Sequence, residues 1–154
     1  MSAPVEVYLH PGDVYASARP TIVTTILGSC VSVCISDRAS AIGGLNHYLL
    51  ADQRAGDTPS TRYGPTAIET LISHVVALGA SRARLVAKLF GGANVLHAFQ
   101  DGVHHIGAAN VDVARALLAE HNIPICAEDV GGTRGRHLTF SVTDGTVSVR
   151  KLRA

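Results

Sequence analysis

No run of lysine or arginine occurs in this sequence, and its formal net charge is only +1. Phosphate recognition needs concentrated cationic side chains, so nucleic acid is excluded as the main partner. No apolar stretch approaches the ~20 residues that a membrane span requires. The opening Met1-Ser2-Ala3-Pro4-Val5-Glu6 has neither the basic region nor the apolar segment of a secretory leader. A cytoplasmic chain with no membrane insertion is the expectation. The cysteines, Cys30, Cys34 and Cys126, are three, so they cannot all pair, and they form neither a CxxC motif nor a disulfide framework. Reduced thiols in a cytosol are the economical reading.

Tryptophan is absent and phenylalanine occurs three times, against eight histidines. That balance raises the question of a metal, yet no HExxH occurs and no carboxylate sits at ligand spacing. His97, His104 and His105 fall in one ambiguous segment, where the adjacent pair points apart in any regular structure. Neither a metal nor a cofactor is expected. The pairs Gly91-Gly92 and Gly131-Gly132 match neither a P-loop nor a dinucleotide fingerprint. They are read as sharp turns, with Arg134 and Arg136 on the second as a solvated edge.

What remains suits one domain, residues 1–154, with 47% hydrophobic residues and no internal repeat. Strands are expected at Glu6–Leu9, Thr21–Leu27, Val31–Ile35, Ala41–Leu50, Arg84–Phe90, Ile123–Ala127, His137–Val142 and Thr146–Leu152, the last pair joined by a two-residue turn at Asp144-Gly145. Val14 to Arg19 is read as irregular. Ile68, Leu71, Ile72, Val75 and Val76 recur at helical spacing, with Gly64-Pro65 at the start, a Thr66-to-Glu69 capping box and Gly79 as the stop. A second helix is expected from an Asn110 cap to His121. Residues 51–63 form a polar loop long enough to serve as a lid. Strands run in groups, so the class is α+β with mixed or antiparallel sheets.

Two β-branched runs flank Gly28-Ser29-Cys30, which delivers a thiol to a tight strand-to-strand junction. A cysteine nucleophile needs a base, and that base needs an orienting group. His47 lies one hairpin later, on a strand able to pair with that of Cys30. Thr24 or Thr25 can supply the orienting hydroxyl, and strand alternation allows only one of them. Cys34 and Cys126 are read as core residues.

Taken together, Leu27-Gly28-Ser29-Cys30-Val31-Ser32-Val33-Cys34, Gly44-Leu45-Asn46-His47-Tyr48-Leu49-Leu50 and Arg62-Tyr63-Gly64 resemble the chemoreceptor glutamine deamidase CheD family. Ala87-Lys88-Leu89-Phe90-Gly91-Gly92-Ala93, Ile106-Gly107 with Asn110, and Glu128-Asp129-Val130-Gly131-Gly132 with Gly135-Arg136 extend the likeness over nearly the whole chain. The resemblance implies a two-layer β-sandwich flanked by helices, similar to the deamidase domain of cytotoxic necrotizing factor toxins. It places the catalytic cysteine and histidine on Cys30 and His47, and the third residue on Thr24. Backbone N–H groups at Gly28, Ser29 and Cys30 would face the oxyanion. The implied activity is a hydrolase converting glutamines of methyl-accepting chemotaxis receptors to glutamate through a cysteine thioester held ready as a thiolate by His47. Association with a CheC-type phosphatase is also implied. The alternatives are a non-catalytic regulator of that phosphatase and a cysteine-dependent receptor methylesterase.

Overall fold

A computed structural model describes residues 3–95 and 105–153 of the chain. Among these, nine strands and two helices follow in the order β1 (Val5–Tyr8), β2 (Val14–Ser17), β3 (Thr21–Leu27), β4 (Val31–Asp37), β5 (Ile42–Asn46), α1 (Gly64–Ala77), β6 (Val86–Gly91), α2 (Ile106–Glu120), β7 (Ile125–Val130), β8 (Arg136–Ser141) and β9 (Val147–Lys151), with a 3₁₀ turn at Arg82–Arg84. They build two sheets, β1-β3-β8-β9 and β2-β5-β4-β6-β7. Both are mixed, with parallel β1/β3 and β6/β7 pairs among antiparallel ones. The α+β expectation holds. No helix among the described residues is long and apolar enough to cross a membrane.

β4 sits inside the five-stranded sheet and is buried along its whole length. Val31, Val33 and Ile35 pack against Ile68, Leu71, Ile72 and Val75 of α1 and Val111, Ala114 and Leu118 of α2. Cys34 faces the other way, joining Leu45, Val23, Leu27, Leu138 and Phe140 between the sheets. Side chains alternate along a strand, so one strand feeds two cores. The layers are therefore sheet, sheet and helices, with both helices on the outer face of the five-stranded sheet.

Several local expectations are corrected. β2 is a strand because its backbone pairs with β5, Tyr15 opposite Leu45, a tertiary partner that its own pattern does not announce. Helix α1 begins at Gly64 after an uncapped Tyr63, so Thr66 lies inside the helix and forms no capping box. Helix α2 begins at Ile106, four residues before Asn110, which is buried in its first turns rather than capping it. The β8–β9 connection is longer than two residues, with Ser141 N–H donating to Thr146 O at 2.9 Å. Cys126 is exposed, not core, because β7 is an edge strand.

Candidate functional site

The crossing from β3 to β4 carries the chain from one sheet to the other, and Gly28-Ser29-Cys30 is that crossing. The turn is tied on three sides. Gly92 N–H donates to Cys30 O at 2.9 Å and Ala93 N–H to Gly28 O at 3.0 Å. From α2, Asn110 Nδ2 donates to Ser29 O and to Leu49 O, both at 2.9 Å. Such close approach requires glycine in β6: Gly91 has φ +104°, and a side chain there would overlap the Cys30 carbonyl. Gly92, at φ +66°, would likewise strike Val111. These glycines are close-packing positions beside the thiol.

Cys34 opposes Leu45, and Val31 opposes Tyr48 in the same register. That register sets Ser32 across from His47 and Cys30 across from Leu49. Cys30 and His47 are thus diagonal neighbours on the inter-sheet face, a relation that places backbones ~7–8 Å apart. The hairpin relation expected between the two residues is present. Among the described residues no hydrogen bond joins the Cys30 sulfur to His47, so the resting geometry is not yet a bonded pair.

His47 is 2% exposed. Its N–H donates to Asp13 O at 3.2 Å, and its own carbonyl accepts from Gly12 N–H at 2.7 Å. Its ring reaches the other sheet, where Nδ1 lies 2.7 Å from Thr25 Oγ1, and that oxygen is 2.8 Å from Leu9 O. A carbonyl only accepts, so the single hydroxyl proton goes to Leu9 O and Nδ1–H donates to Oγ1. Nε2 is left with its lone pair, which is the form a general base needs.

The hydroxyl hydrogen-bonded to His47 is that of Thr25, whereas the resemblance indicated Thr24. Val23, Thr25 and Leu27 are the buried positions of β3, facing the inter-sheet core. Thr24 is turned to the outer face, opposite Thr139 of β8 and Tyr8 of β1. Alternation forbids it from reaching His47.

Cys30 is half-buried at the floor of a cleft of about 620 Å³. Leu49, Leu50 and Ile106 line it together with Arg54, Arg62 and Tyr63 from the 51–63 loop. The loop is anchored at its end, where Leu49 N–H donates to Arg62 O at 2.8 Å and Thr61 Oγ1–H to Gly12 O at 2.6 Å. It walls the cleft. His47 is not among the residues that line the cleft.

Burial pushes the Cys30 thiol up, opposed by its own backbone N–H. Burial likewise lowers His47 to about 4, with Asp13 opposing. Each group is desolvated, and the charged form loses in both cases. Burial thus favours the uncharged form of each group, against the thiolate that the resemblance implied.

Arg136 was expected at a solvated edge but is 2% exposed. Its guanidinium donates to Asp129 Oδ1 at 3.0 Å, Gly131 O at 2.9 Å and Gly91 O at 3.2 Å, bracing the glycine turns. Arg134 is exposed and donates to Leu152 O at 2.7 Å. Of the proposed metal trio, His97 and His104 lie outside the described residues; among the described residues no cluster of three metal-ligating side chains occurs. Asn110 was missed as a site residue. Its place in the Ile106-Gly107-x-x-Asn110 pattern was the available signal.

A half-exposed thiol beside an imidazole whose free nitrogen is set by hydrogen bonding defines a site equipped for cysteine-dependent acyl chemistry. A family profile described as CheD chemotactic sensory transduction matches residues 49–151. The chain is 48% identical over 147 residues to the probable chemoreceptor glutamine deamidase CheD 1 of Anaeromyxobacter dehalogenans, covering 96% of this chain and 85% of that one. It is 43% identical to the probable chemoreceptor glutamine deamidase CheD of Laribacter hongkongensis, with 93% and 70% covered. With that of Sulfurimonas denitrificans the identity is 38%, over 93% and 92%. The chain belongs to the CheD family. The profile begins after Cys30 and His47, but matches of this length to the relatives take in both positions.

Proposed function

We propose that the chain is a protein-glutamine deamidase acting on methyl-accepting chemotaxis receptors through a Cys30 thioester. The observation that carries this reading is the half-exposed Cys30 at the cleft floor, sharing the inter-sheet face with an imidazole that Thr25 and Leu9 hold in one tautomer. The names of the relatives supply the substrate.

Substrate binding brings the thiol and Nε2 of His47 together. Nε2 takes the thiol proton as sulfur bonds to the amide carbon of a receptor glutamine, and the carbonyl π pair moves onto oxygen. Backbone N–H groups of the 28–30 turn face that charge, a contribution of several kcal/mol in comparable sites. The proton passes from Nε2 to nitrogen, the C=O re-forms and ammonia leaves with its C–N bond. Water, deprotonated by Nε2, then adds to the thioester, the C–S bond breaks, and the thiolate regains its proton as glutamate departs. Thr25 keeps Nδ1–H occupied throughout, so the ring cycles through imidazolium without turning.

The sandwich is assigned with this chemistry to the kind used by cytotoxic necrotizing factor deamidases, and a CheC-type phosphatase is included as partner on the family resemblance alone. Incubation with receptor cytoplasmic fragments, followed by peptide mass mapping, tests the reading. Glutamine converts to glutamate with wild type and not with Cys30→Ala, while receptor methyl esters in the same fragments remain. Unchanged glutamines, or conversion that survives Cys30→Ala, would sink the proposal.

A further inference from the structure

Asn110 is fully buried, and among the described residues its side-chain oxygen has no hydrogen-bond partner. An amide that leaves its buried oxygen unpaired while its nitrogen makes two hydrogen bonds is placed for its donors. Both neighbours of its nitrogen are carbonyl oxygens, Ser29 O and Leu49 O. Only an amide N–H₂ satisfies two acceptors from this position. The helix is held in turn, with Tyr48 OH donating to Asn110 O at 2.5 Å.

The bond to Ser29 O matters through the peptide plane it fixes. No cis peptide occurs among the described residues, and in a trans peptide the carbonyl and the next N–H point in opposite directions. Drawing Ser29 O inward to α2 therefore turns the Cys30 N–H outward. That N–H donates to no other residue among those described, although the Cys30 carbonyl is paired with Gly92. An N–H beside the nucleophile that is given to no other described residue, and is aimed by a clamp, is placed to serve as an oxyanion donor once substrate arrives.

We infer that Asn110 is a positioning residue that presets the Cys30 N–H as oxyanion donor by clamping the Ser29 carbonyl. This deepens the reading of Cys30 as nucleophile and rests on it.

Two small probes separate the clamp from general damage to the site. A small aldehyde forms a C–S bond with Cys30 and transfers the thiol proton to the new oxygen, which occupies the oxyanion position. Iodoacetamide alkylates the same sulfur, with iodide leaving, and develops no oxyanion. In Asn110→Ala the aldehyde adduct at Cys30 weakens about tenfold or more, and kcat on receptor fragments falls about 10²-fold with KM little changed. The iodoacetamide rate stays within about threefold, and Tyr48→Phe, which leaves the Ser29 clamp in place, moves neither ratio. If Asn110→Ala does not fold, Asn110→Asp keeps the volume while replacing a donor with an acceptor. In wild type, amide NMR shows the Cys30 N–H shifting downfield on aldehyde addition. Equal loss with both probes, no loss with either, or an unmoved Cys30 amide overturns the inference. Wild type that forms the aldehyde adduct but leaves receptor glutamines intact defeats the receptor assignment and leaves the clamp standing.

Discussion

The two faces of β4 differ in kind. Toward the helices it presents Val31, Val33 and Ile35, packed wholly among apolar neighbours. Toward the second sheet, the same run presents Cys30, Ser32, Cys34 and Ser36, and there the neighbours include His47 and Thr25. Ser32 Oγ–H donates to Asn46 O, so the polar atoms on this face are absorbed by backbone. One face contributes stability through burial, and the other accepts a polar inclusion in which Ser32, Thr25 and His47 Nδ1 have hydrogen-bond partners. A single-residue shift of register would exchange the two.

Mutations on either face sharpen this contrast. Leu71→Ala, on the helix side, should cost about 3 kcal/mol of stability, measured by chemical denaturation. The rate at which iodoacetamide labels Cys30 should stay unchanged. Thr25→Val leaves the His47 Nδ1–H without an acceptor and should lower kcat about 10–100-fold, whereas Thr24→Val on the outer face should leave turnover within about twofold. Equal effects of the two would break the assignment of Thr25.

The acid limb of activity offers a third check. In the proposed mechanism neutral His47 is the working form, and burial lowers its pKa from 6.5 to about 4. Turnover should therefore persist from pH 7 down toward 5 and fall through about 4. The same shift has a consequence for stability. The unfolded chain binds a proton at this histidine below about 6.5 and the folded one does not until about 4, so stability declines as pH falls through that window. A His47→Gln variant should lack this part of the decline in thermal melts taken across the range. The smallest effect is expected at Cys34, whose thiol burial drives far above its ordinary range. Cys34→Ala should cost about 1 kcal/mol with turnover unaltered.

Much of this was legible in the residues. Helix α1 follows from Ile68, Leu71, Ile72 and Val75 at helical spacing, all of them buried. The Gly28-Ser29-Cys30 junction followed from two β-branched runs meeting a glycine, and His47 from a hairpin's length of separation. The choice between Thr24 and Thr25 did not. β3 carries Ile22, Val23, Ile26 and Leu27, apolar on both faces, so its phase is decided by which side meets the second sheet. β2 was missed for a related reason, since Val14–Ser17 is a strand only by pairing with β5. Arg136 looks like a surface cation in any linear reading. Its burial depends on the carbonyls of Gly91 and Gly131 and on Asp129 converging from separate elements. Asn110 likewise acts on Ser29, 81 residues away.

The bond between Thr25 and His47 spans the gap between the layers, one partner from each sheet. It works as a caliper. Packed sheets stand ~10 Å apart, and a hydrogen bond tolerates only a few tenths of an ångström. The side chains that set the spacing, Phe140 and Leu138 among them, therefore help to hold Thr25 and His47 within bonding reach. Sequence drift in that filler is constrained by thickness as well as by greasiness.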